Sequence, residues 1–78
     1  MSGVRTLAQA AAGERLRVRR VADAGQAPSL LRLGLGPGTL VTVRQVLPGG
    51  PVVVETAAGP LAVGRPLAEA LEVEPAGA

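Results

Sequence analysis

Turn-forming residues divide this chain into pieces that can only be short elements. Gly34-Leu35-Gly36-Pro37-Gly38, Pro48-Gly49-Gly50-Pro51, Ala57-Ala58-Gly59-Pro60 and Gly64-Arg65-Pro66 punctuate it from residue 34 to residue 66. Glycine supplies backbone conformations that a Cβ resists, and proline withholds a donor and fixes φ. Between them lie valine- and leucine-rich runs of strand character. A long helix is excluded, and so is a span of the ~20 apolar residues that crossing a bilayer as a helix requires.

The most informative run is Leu30-Leu31-Arg32-Leu33-Gly34-Leu35-Gly36-Pro37-Gly38-Thr39. It reads as a short apolar helix that stops, turns and feeds a strand. Gly34 suits the left-handed position that ends a helix. Pro37 and Gly38 suit the central positions of a type II turn. Gly34, Pro37 and Gly38 are therefore read as structural turn residues. The alternation Gly34-x-Gly36-x-Gly38 has neither the spacing of a dinucleotide fingerprint nor the Gly-Lys-Ser/Thr of a P-loop.

The remaining elements follow in order. Thr6 to Gly13 predicts one helical turn with Thr6 at its cap. Glu14 to Val21 alternates as a half-buried strand, with Leu16 and Val18 on one face and arginines on the other; its phase shifts at Arg20-Val21, as at a bulge. Pro28 to Leu33 is the inserted helix. Leu40 to Leu47 is the second strand, with Val41, Val43 and Leu47 on one face. Val52 to Thr56 is the third, Leu61 to Val63 a short fourth, Gly64 to Ala70 a helical turn, and Leu71 to Glu74 the last strand. The pattern predicts a mainly β protein, a small closed barrel of about five short strands. Residues 1–5 are expected to be a flexible N-terminus, 6–74 the domain, and 75–78 a flexible C-terminal tail.

At 78 residues this is one small domain, without cysteine, histidine, lysine or any aromatic residue. No disulfide is available, and the commonest metal ligand and general base are missing. The core must come from valine, leucine and alanine. A net charge of +2 beside a pI of about 11.2 reflects basic residues that are all arginine, so the pI is weak evidence for nucleic acid. Catalysis would have to rest on carboxylates and arginine alone, so the chain is read as a non-enzyme with no catalytic residue and no cofactor.

The order of these signals resembles the ferrous iron transport protein A family, the FeoA domains. The carrying residues are Thr6-Leu7 with Gly13-Glu14, then Leu33-Gly34-Leu35 and Pro37-Gly38-Thr39, then Val41-x-Val43. Gly50-Pro51, Leu61-Ala62-Val63 and Ala68-x-Ala70-Leu71-x-Val73 complete the series. The likeness spans roughly Thr6 to Glu74, and L-G-L-x-P-G-T is its most specific piece. Departures are a shorter helix before Leu33, no aspartate in the Gly49-Gly50-Pro51 turn, Pro60 after Gly59, and Gly64 where an arginine is common. The resemblance implies an SH3-like fold with a helix inserted after the first strand. It also implies a cytoplasmic accessory role in bacterial ferrous iron uptake, peripheral to the inner membrane through a partner. That partner is the membrane ferrous iron transporter, with its cytoplasmic GTP-binding domain.

An iron-transport family associated with transition metals invites a metal site. Here only carboxylates are on offer, and Glu69, Glu72 and Glu74 are read as solvated surface, so no metal site is expected. The row Arg15, Arg17, Arg19 and Arg20 reads as a solvent-facing strand edge, and no nucleic acid is expected, since stacking aromatics are absent. Protein contact is assigned to Leu30, Leu31 and Leu35: one or both of Leu30 and Leu31 should stay exposed beside Leu35, with Leu33 in the core. Two other classes stay open. One is a stand-alone SH3-like module related to the C-terminal domain of iron-dependent repressors, and the other is an RNA-binding small barrel.

Overall fold

In the computed structural model, which describes residues 5–76, six strands form one antiparallel sheet in the order β1-β6-β2-β3-β4-β5. The strands are β1 (Arg5–Thr6), β2 (Arg15–Val21), β3 (Leu40–Val46), β4 (Val52–Thr56), β5 (Gly59–Val63) and β6 (Leu71–Pro75). A 3-10 turn (Leu7–Gln9) follows β1. Helix α1 (Ala27–Arg32) links β2 to β3, and helix α2 (Arg65–Ala70) links β5 to β6. The two-residue β1 was not foreseen; it pairs Arg5 with Val73 and Thr6 with Glu72. Arg5 and Pro75, expected in loose ends, thus belong to the sheet. Ala76, also expected in the tail, donates its N–H to the Arg15 carbonyl at 3.0 Å, and the rest of the expected ends, residues 1–4 and 77–78, lies outside the described residues.

The sheet curls around a single core without closing. Among the described residues β1 and β5 are its two edges and do not pair with each other. The expected closed barrel is corrected to an open one: the two-residue β1 pairs only with β6, and β5 pairs only with β4. Side chains bridge the ends instead. The Arg65 guanidinium donates from Nη1 to the Ala8 carbonyl (3.2 Å) and from Nη2 to the Leu47 carbonyl (2.9 Å), tying α2 to the 3-10 turn and the β3–β4 turn. Arg5 meets Glu14 at 2.8 Å.

The inner face is aliphatic throughout. Leu7, Leu16, Val18, Val43, Val52, Val54, Val63, Leu71 and Val73 are buried, and no described polar residue joins them. Two bulges set which residues face inward. The register of β2 against β6 shifts between Val18 and Arg20, which turns Val21 back toward the core. The register of β3 against β4 shifts between Val43 and Gln45. Strict alternation would have put Leu47 inside with Val41 and Val43. The extra residue of the bulge puts Val46 against the core instead, and Leu47 is left exposed.

Candidate functional site

Helix α1 is barely more than one turn, so its ending decides its geometry. Gly34 stands at φ +83°. Its N–H donates to the Leu31 carbonyl at 3.0 Å, and the Leu35 N–H reaches back to the Leu30 carbonyl at 2.8 Å. These two bonds are those of a Schellman ending, which brings the third residue from the helix end against the residue after the glycine. Here those two are Leu30 and Leu35, and both are completely buried. Leu33, at the cap, is thrown outward and is 41% exposed, while Leu31 on the free side of the helix is 58% exposed. The expected division of the leucines is therefore corrected at three positions. Leu30 and Leu35 belong to the core, and Leu33 belongs to the surface with Leu31.

The turn that follows is tied down on both sides. Thr39 N–H donates to Gly36 carbonyl (3.2 Å) across Pro37 and Gly38, and Gly38 has φ +91°. Gly38 N–H donates to Val18 carbonyl (2.8 Å), and Val18 N–H to Thr39 carbonyl (2.9 Å), which anchors the turn to β2. The Thr39 hydroxyl donates to the Gly34 carbonyl at 3.2 Å. Leu31 lies across the turn: its Cδ2 is 2.8 Å from where a Cβ on Gly36 would stand.

Between this unit and the β4–β5 turn lies an open groove of about 450 Å³. Leu33 and Gly34 form one wall, Thr39 and Leu40 the floor, and Ala57 and Ala58 the far side, with no charged side chain in the lining. Leu40 is 46% exposed. Sequence reasoning did not single out Leu40, Ala57 or Ala58. The signal for Leu40 was its parity: if Val41 and Val43 face inward, Leu40 faces out. Nothing local marks the two alanines, which reach the groove only through strand pairing.

The arginine row does lie on the outer face of β2, as a half-buried strand requires, and three of its four members are opposed by carboxylates of β6. Arg17 and Arg19 approach Glu74 at 3.8 and 3.7 Å, and Arg20 approaches Glu72 at 3.9 Å. Arg44 on β3 approaches Glu55 on β4 at 3.8 Å. Exposed pairs of this length contribute little each. Glu69 is separated from Glu72 and Glu74, lining a hollow with Asp23 and Gln26. Among the described residues no three carboxylates gather as metal ligands would. The Arg5–Glu14 pair is the one with close geometry: a two-pronged contact at 2.8 and 3.2 Å whose hydrogen bonding holds the Glu14 carboxyl below its ordinary range. No described helix is long and apolar enough to cross a membrane.

Comparison with known proteins extends this picture. A family model for the FeoA domain matches residues 5–75. No curated protein sequence matches the chain. Among solved structures, the chain is similar to an iron uptake regulatory protein, FeoA, at 25% identity and a TM-score of 0.82, covering 91% of this chain and 94% of that one. It is similar to the FeoA protein from Chlorobium tepidum at 29% identity and a TM-score of 0.79, covering 94% of this chain and 71% of that one. A manganese-dependent transcriptional repressor superposes with a TM-score of 0.85 over 96% of this chain but only 43% of its own, at 20% identity, a likeness of fold. The curled sheet with its inserted helix is thus the SH3-like architecture shared by these proteins.

Proposed function

Because the chain belongs to the FeoA family, we propose that it is an accessory protein of bacterial ferrous iron uptake. In this reading it works in the cytoplasm by docking on the GTP-binding side of the membrane ferrous iron transporter. The observation that carries the docking mechanism is the exposed apolar surface at the α1–β3 junction. Leu31, Leu33 and Leu40 stand out of a 78-residue domain whose other leucines are mostly buried. Of these, Leu33 and Leu40 line one groove, and an exposed apolar surface shared by several residues of a small domain marks a contact surface. The groove beside it is built on a turn anchored to β2, so little backbone order has to be gained on binding. Histidine, cysteine, lysine and tyrosine, four of the side chains that most often carry nucleophilic or general-base chemistry, are missing from the composition, which favours docking over catalysis.

The test is co-purification with the transporter's cytoplasmic GTP-binding domain. Leu33→Glu and Leu40→Glu, both at exposed positions, should stay folded and weaken binding at least about tenfold, as burying an unpaired charge at a contact does. Deleting the gene should lower Fe(II) uptake under iron limitation; unchanged uptake counts against the proposal.

A second reading draws on the repressor likeness, in which this chain overlays less than half of the larger protein. In that reading the domain is a stand-alone module that steadies a metal-dependent regulator through protein contacts. Unchanged uptake together with altered metal-dependent transcription in the deletion strain would favour it.

A further inference from the structure

We propose that the groove between Leu33 and Leu40 takes an acidic amphipathic segment of a protein partner. Its apolar side chains seat against Leu33, Leu40 and Ala57, and its Asp or Glu carboxylates meet Arg32 and Arg17. The inference rests on the docking reading above and names the chemistry of the docked segment. The groove itself is apolar, and its lining holds no charge. Two arginines adjoin its lining residues, one in the chain and one in register. Arg32 stands between Leu31 and Leu33, exposed, and no described carboxylate lies within ion-pair distance of it. Arg17 is the register partner of Leu40 across β2 and β3, so the two emerge side by side on the outer face. Arg17 shares the single carboxylate of Glu74 with Arg19, leaving one guanidinium of that trio uncompensated.

The neighbouring acid on the same face, Glu55, is opposed by Arg44. Arg15, in register with Thr42 on that face, forms no ion pair with a described carboxylate either. Arginines beside an apolar floor select against basic segments and for acidic ones. The long, exposed Arg17–Glu74 contact also lets Arg17 turn to an incoming carboxylate at little cost.

The test is selection of a displayed library of random 16-residue peptides on the full chain, followed by affinity measurement. Peptides pairing apolar residues with Asp or Glu should be enriched. Their affinity should fall about tenfold with Arg32→Glu or Arg17→Glu, should fall steeply with salt, and should be lost with Leu40→Asp. Circular dichroism establishes that each variant is folded. Enrichment of basic or uncharged peptides overturns the proposal, as does no enrichment at all, or acidic peptides indifferent to Leu40→Asp and Arg32→Glu. Self-association of the chain that Leu40→Asp abolishes also overturns it, since a second copy would then own the groove. If the transporter domain binds in a Leu40-dependent way but ignores Arg32→Glu, the acidic-segment proposal falls and the docking reading stands. If acidic peptides bind as described and the transporter domain does not, the groove's chemistry stands and that partner falls.

Discussion

Gly34 and Gly36 sit two residues apart and are glycine for different reasons. At Gly34 the backbone is left-handed, with φ +83°, and a Cβ would meet nothing within 4 Å. The cost of a side chain there is conformational, on the order of 1–2 kcal/mol. At Gly36 a Cβ would stand 2.8 Å from Leu31 Cδ2, the far end of a flexible, exposed side chain. That atom can swing away, so the cost falls on the position of Leu31 and hardly on stability. Urea denaturation should therefore show Gly34→Ala destabilised by about 1 kcal/mol and Gly36→Ala changed by less than ~0.5 kcal/mol. Equal losses would mean that steric contact, not φ, governs the turn.

For the elements, the ending of α1 separates what could be read in the sequence from what could not. Gly34 as the stop, the Pro37-Gly38 turn and the strand after it follow from residue chemistry alone. The assignment of the leucines went wrong because it weighed the helix by its faces, and a helix of six residues has no complete face. The Schellman geometry is the better guide, and it was available: a glycine at 34 implies an apolar contact between residues 30 and 35. Bulges are harder. Each left a break in alternation, at Arg20-Val21 in β2 and at Gln45-Val46 in β3. In β3 the polar Gln45 interrupts the inward phase of Val41 and Val43, but Leu47 returns to that phase, so the shift is fixed only by strand pairing. The corrected division of leucines has a sharp consequence. Leu30→Ala should cost about 3 kcal/mol, since it removes a fully buried side chain, while Leu31→Ala should change stability by less than ~0.5 kcal/mol. Thermal or urea unfolding of the pair decides it; a larger loss at Leu31 would return the helix to the opposite orientation.

At the scale of the whole molecule, the fold is an open sheet whose ends are held by side chains, and this is the part the sequence concealed. Neither the two-residue β1 nor the bridging by Arg65 has a local signature. Each depends on residues more than fifty positions apart, as Arg5 with Val73 and Arg65 with Ala8. The same holds for the groove, whose far wall comes from a turn nearly twenty residues beyond its floor. Beside the β1 edge, Arg5 of β1 holds Glu14, at the entry to β2, through two hydrogen bonds. That contact has a pH signature. The Arg5 hydrogen bond, aided by its charge, lowers the Glu14 pKa in the folded chain, against about 4.3 when unfolded. A lowered folded value means that the unfolded chain takes up the proton first as pH falls. The contribution is therefore fully present above the unfolded value and is lost as pH drops through the folded one. Glu14→Gln removes the charge at every pH. Its stability deficit relative to the parent chain should be present at pH 7 and shrink progressively below pH ~4, with the change confined to that acid window. Both side chains are about one-third exposed, so the deficit at pH 7 should itself be modest. A deficit that stayed constant down to pH ~2 would show that Glu14 acts through packing or polarity, and that the ion pair does not help to hold β1 in the sheet.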